Sequence, residues 1–94
     1  MLESIKFEAH ALMRLRQRSC QYGLSFQEAR KRIIETIKTR NRTKKKHIAK
    51  TMWYVTYYRY FSDNLSFYVI CKENKFGVNK KYLIKTIIIE YGRG

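Results

Sequence analysis

Apolar positions recur at helical spacing through the first half of this chain and at strand spacing through the second half. Leu12, Leu15, Ser19 and Tyr22 fall three or four residues apart, which predicts a helix over 8–22 that buries this stripe. Gly23 follows at the place where a left-handed C-terminal turn favours glycine. Ser25 with Glu28 three residues on forms a capping box, and Leu24 stands where a hydrophobic staple packs on Ala29. These signals start a second helix, with Phe26, Ala29, Ile33 and Ile37 on its buried face and Arg30, Lys31 and Arg32 outside.

Strands account for the rest. Residues 4–7 (SIKF) alternate polar and apolar and predict one short strand. The run 38–46 (KTRNRTKKK) has six cations in nine residues and no aliphatic side chain, so it predicts a loop. Residues 51–61 (TMWYVTYYRYF) are almost all aromatic or β-branched, and Ser62, Asp63 and Asn64 supply hairpin-turn chemistry before a partner strand over 65–72. ENKFGVN, 73–79, predicts a second turn, and KYLIKTIIIEY, 81–91, the last long strand. The expectation is one α+β domain over 1–94, with two N-terminal helices packed on one face of a three- to four-stranded antiparallel sheet. Its other face is then bare, and the aromatics, Trp53 and Tyr57 among them, divide between core and open face. Rings beside cations on an open sheet suit stacking against unpaired bases.

Charge narrows the partners. The 94 residues carry a formal net charge of +14, with a pI of about 10.1. Such a chain attracts a polyanion: nucleic acid, an acidic protein or an anionic membrane surface. A hydrophobic content of 45% and an aromatic content of 15% set it apart from a disordered basic tail. No apolar run approaches the roughly 18 residues that span a bilayer, and MLESIKFEAH lacks a signal-peptide core, so a cytoplasmic, soluble protein is expected. Cys20 and Cys71 show no metal-site spacing and are expected as small buried hydrophobes, and neither a metal nor another cofactor is indicated. Arg40, Arg42, Lys44, Lys45 and Lys46 are candidate phosphate contacts, against the alternative of a solvated linker, and His47 is incidental to them.

Candidate chemistry concentrates in HALMRLRQR, residues 10–18. His10, Arg14 and Arg18 advance about 40° per step around a helix, so one face presents an imidazole and two guanidiniums. That set can hold a phosphate and move a proton, which is what cutting RNA requires. The alternative is a solvated basic helix face.

The same residues resemble a family of small domains whose helix opens with a His-Ala-x-x-Arg-x-x-x-Arg signature, here His10, Ala11, Arg14 and Arg18. That family lies in the barnase–EndoU–colicin–RelE superfamily of RNase folds, which includes many toxins of toxin–antitoxin pairs. The resemblance implies a RelE-like domain and a metal-independent endoribonuclease, with Thr86 of LIKTIII matching a threonine of the family's last strand. Tyr91 and Arg93 match the tyrosine and basic residues near the C-terminus of RelE-like toxins. Catalytic candidates are therefore His10, Arg14, Arg18, Thr86 and Tyr91, with RNA as substrate and an acidic antitoxin as partner. Two departures stand out: the inserted SCQYGLS between the helices, and a longer, more charged loop after the second helix. The rival functions are a non-catalytic basic nucleic-acid-binding module and a RelE/ParE-like toxin that acts by binding a protein.

Overall fold

The structure, a computed structural model, describes residues 3–46, 54–76 and 79–93. The elements run β1 (Glu3–Phe7), α1 (Ala9–Gln21), α2 (Phe26–Lys38), β2 (Arg42–Thr43), β3 (Tyr54–Tyr60), β4 (Leu65–Phe76) and β5 (Asn79–Tyr91). His47, Trp53, Gly77 and the first three residues of the strand expected over 51–61 lie outside the described residues.

Both helices form where local signals place them. Ser25 Oγ accepts the Glu28 N–H at 3.0 Å, so the N-terminus of α2 is capped by its own sequence. Gly23 has φ +68°, and the Leu24 N–H closes on the Ser19 carbonyl at 2.8 Å, which stops α1. The buried side of α1 is Ala11, Leu15 and Ser19, whereas Leu12 is 36% exposed. Leu15, Ser19 and Tyr22 of the expected stripe therefore face the core, and the one change is that small Ala11 takes the place of Leu12, letting the helix approach the sheet closely. In α2 the buried set is Ala29, Ile33, Thr36 and Ile37, and Thr36 satisfies its hydroxyl on the Arg32 carbonyl at 2.7 Å.

The sheet corrects the expectation of three or four antiparallel strands. It has five strands in the order β1-β5-β4-β3-β2, and β1 runs parallel to β5 while the other pairs are antiparallel. One added strand and one strand direction make the difference. Arg42 and Thr43, inside the run expected as a loop, pair with Tyr57 and Thr56 and form an edge strand. Strand β1 docks beside β5, with Phe7 opposite Ile84, and the Glu8 N–H then bonds the Ile84 carbonyl at 3.0 Å. The turn expected over 73–79 is also shorter than expected. Glu73 pairs with Tyr82, and pairing continues to Phe76 opposite Asn79.

Alternation along β4 and β5 puts Leu65, Phe67, Val69, Cys71, Tyr82, Ile84, Ile87 and Ile89 against Ala11, Leu15, Ala29, Ile33 and Ile37. Register slips once: Ile70 pairs with Thr86 but Cys71 pairs with Ile84, so Lys85 is an extra residue in β5. Cys71 is buried and its thiol is pushed up to about 12 by that burial, whereas Cys20 is exposed, contrary to expectation, because it lies one residue past Ser19 on α1. No helix among the described residues covers the other sheet face, yet Thr56, Ser66, Tyr68 and Ile70 are buried there. Part of the cover is the segment after β2, whose Lys46 reaches Glu90 of β5 at 3.0 Å.

Candidate active site

Helix α1 sits beside the half of β5 that extends past β1. From His10 to Tyr22 a helix covers about 18 Å, and from Thr86 to Tyr91 a strand covers about 17 Å, so the two elements match in length. They enclose an open groove of about 570 Å³ lined by Glu8, His10, Arg14, Arg18, Lys85, Thr86, Ile87 and Ile88. Helical periodicity supplies one wall and the strand supplies the other. Four of the five catalytic candidates, His10, Arg14, Arg18 and Thr86, therefore line a single cleft.

Electrostatics single this wall out. Arg14 Nε lies 3.5 Å from His10 Nε2 and a terminal nitrogen of Arg14 lies 3.4 Å from Gln17, while Arg18 bonds Gln21 at 3.1 Å. Neither guanidinium meets a carboxylate among the described residues. Elsewhere Glu28 and Asp63 hold Arg32, Glu35 holds Arg59, Glu73 holds Arg42 and Lys80, and Glu90 holds Lys46. Across the groove, Glu8 Oε1 accepts from Lys85 Nζ at 2.8 Å, and that bond holds the lysine above its ordinary pKa. The side chain of Glu8 makes no cap bond to α1, being turned toward Lys85 instead. The groove thus holds one imidazole, one carboxylate, three cations and a hydroxyl.

Tyr91 lies apart from this set. It is 70% exposed at the far end of β5, its ring 4.9 Å from Tyr22 at the end of α1. Of the basic candidates, Arg42 stands on edge strand β2, whereas Arg40 and Lys46 reach back to residues of β5. Arg40 bonds the Tyr82 hydroxyl at 3.0 Å, and Arg42 bonds both Glu73 oxygens at 3.0 and 3.1 Å. Lys45 lines a small cleft with Tyr58 and Tyr68 on the open face, and Lys46 is held by Glu90.

Two carboxylates with specific partners carried no signal in the sequence. Glu8 precedes the helix as an ordinary acidic residue, and only the parallel docking of β1 turns it toward Lys85. Glu73 stood inside an apparent turn, yet it accepts from Tyr57 at 2.5 Å and from Lys80 at 3.3 Å, with its side chain 9% exposed. Burial pushes the Glu73 carboxyl up, but the Tyr57 hydroxyl, Arg42 and Lys80 together bring it below its ordinary value. Burial and the same contact raise Tyr57. No three metal-ligating side chains come together among the described residues, and no helix among them is long and apolar enough to cross a membrane. Comparison with protein-family models, curated proteins and solved structures finds no match to this chain.

Proposed function

We propose that this chain is a metal-independent endoribonuclease of the toxin type, acting in the cytoplasm. The observation that carries the reading is the α1–β5 groove, where His10 stands beside two guanidiniums that no described carboxylate neutralises. A phosphodiester bound there meets planar donors suited to two phosphate oxygens. The ribose 2′-hydroxyl loses its proton and attacks phosphorus, Arg14 and Arg18 offset the charge that builds on the phosphorane, and the 5′-oxygen leaves with a proton. An imidazole can both take and give a proton, which suits His10 to one of those proton transfers. Thr86 offers a hydroxyl from the facing strand to orient the ribose. Tyr91, outside the groove, is left with substrate contact further along the strand. The RelE-like resemblance at His10–Arg18 supports the same reading, and an acidic antitoxin is the partner it implies.

A non-catalytic nucleic-acid-binding module is the second reading, favoured by Lys45 beside Tyr58 and Tyr68 at the far edge. Substitution separates the two. His10→Ala is expected to lower cleavage of a single-stranded RNA by about 10²- to 10⁴-fold, with affinity for a 2′-deoxy analogue and the circular dichroism spectrum retained. Arg14→Lys keeps the charge but loses the fork, and is expected to lower cleavage strongly as well. Wild-type protein that binds RNA and never cuts it would assign the chain to the binding module, and protein that does neither would favour a toxin directed at a protein target.

A further inference from the structure

The α1–β5 groove is lined as far as Arg18 on the helix and Ile88 on the strand. One helical turn past Arg18, Tyr22 meets Tyr91, with ring centroids 4.9 Å apart and planes tilted by 57°. Resting on the endoribonuclease reading, we propose that this ring pair is a stacking subsite for an unpaired nucleobase of the RNA whose phosphate Arg14 and Arg18 hold. Tyr91 is 70% exposed, the most exposed of the large hydrophobic side chains among the described residues. Its ring nevertheless stands on fixed backbone. Tyr91 pairs with Leu65, and the next residue, Gly92, donates its N–H to the Asn64 carbonyl at 2.8 Å and accepts from Ser66 Oγ. Tyr22 is fixed as well: its N–H bonds the Arg18 carbonyl at 3.1 Å, and the left-handed turn at Gly23 ends the helix directly behind it. Tyr22 also packs against the core, so it supports Tyr91 from within and leaves it open outward. Both rings are in place before anything binds, so little conformational entropy is lost when a base stacks there.

Continuity with the groove identifies the occupant. A phosphodiester held by Arg14 and Arg18 carries a ribose and a base on each side. A single strand that follows the groove toward the ends of α1 and β5 brings one of those bases onto the ring pair. Every base has a π-face, so aromatic rings accept any of them without a hydrogen-bond code. Double-stranded RNA keeps its bases stacked within the helix and offers none to the rings, so the subsite selects unpaired RNA. Tyr22 belongs to SCQYGLS, the insertion between the helices, so the feature is built where this chain departs from the family pattern. The work asked of Tyr91 is that of its ring. No proton moves at this site.

Abasic substitution separates ring from hydroxyl and binding from cleavage. Affinity is measured for a single-stranded RNA made uncleavable by 2′-deoxy substitution at the scissile nucleotide. The same strand then carries one abasic residue, placed in turn at each position flanking that linkage. On wild-type protein one abasic position is expected to weaken binding by about 5- to 150-fold, the range for loss of one stacked base. Tyr91→Ala should weaken binding of the intact strand by a similar factor and lose the abasic penalty at that position, and Tyr91→Phe should restore the penalty. Tyr22→Leu, which keeps an apolar side chain against the core, should lower the penalty with the circular dichroism spectrum unchanged. A penalty undiminished in Tyr91→Ala overturns the proposal, as does its absence from wild-type protein at every position. Tyr91→Phe behaving as Tyr91→Ala also overturns it, by assigning the work to the hydroxyl. Cleavage of unmodified RNA by wild-type protein is read separately: its presence keeps the endoribonuclease reading when the subsite fails, and its absence removes both.

Discussion

Glu73 accepts hydrogen bonds from three strands at once: Tyr57 of β3, Arg42 of β2 and Lys80 of β5. A carboxylate this enclosed costs free energy to desolvate, and its partners return that only while it is ionised. Its pKa is depressed in the folded state, so its contribution is present above the unfolded value of about 4.3 and is lost as pH falls through the lower folded value. Glu73→Gln is therefore expected to destabilise the protein by about 2–3 kcal/mol near pH 7. Urea unfolding should show that difference shrinking as the pH drops below about 4. An equal deficit at pH 7 and pH 3 would mean that packing, rather than charge, holds Glu73 in place. The placement of His10, Arg14 and Arg18 along one groove was legible from the chain because i, i+4, i+8 spacing is local geometry. Glu73 was not, since its three partners lie on three other strands and only the assembled sheet brings them to it.

At the scale of elements, legibility follows the range of the forces. The capping of α2 is written within four residues, and the Ser25–Glu28 bond appears at 3.0 Å as that signal demands. Ser25→Ala is expected to cost about 1 kcal/mol of stability, measured by thermal or urea unfolding. A loss below about 0.3 kcal/mol would mean that the burial of Ala29 and Ile33 alone sets where α2 begins. Strand direction has no comparable local mark. Residues 4–7 looked like a strand, but they dock parallel to β5, with Phe7 opposite Ile84 from the other end of the chain. Edge strand β2 hides in a cationic run because two residues show no period, and their pairing depends on Tyr57 and Thr56. Residues 73–76, three of them polar, resemble a turn until β5 arrives opposite them. The bulge at Lys85 is likewise invisible in LIKTIII, although it shapes one wall of the groove.

Across the whole molecule, 21 basic residues face 7 acidic ones, so the placement of the carboxylates decides where positive potential is left over. Ion pairs draw Arg32, Arg59, Arg42, Lys80 and Lys46 into the structure. At the β5 edge Arg14 and Arg18 escape them, and at the β2 edge so do the Lys44 and Lys45 side chains, among the described residues. Two cationic margins therefore flank a sheet face that carries Tyr54, Tyr58 and Tyr60. A single strand of RNA lying across that face would neutralise cations at both margins. Each phosphate contact contributes about 0.7 to the slope of log affinity against log salt for single strands. Replacing Lys44 and Lys45 by glutamine should then flatten the slope by about 1.4 while leaving kcat unchanged. On the proposed function, replacing Arg14 and Arg18 by glutamine should flatten it by a similar amount and also remove cleavage. Filter binding of a 2′-deoxy-protected RNA at several salt concentrations reads both effects. Additive losses in the fourfold variant mean that one RNA strand spans the molecule from the groove to the β2 edge. A fourfold variant no flatter than the Arg14 and Arg18 pair would confine RNA to the groove and leave the run 38–46 to solvent.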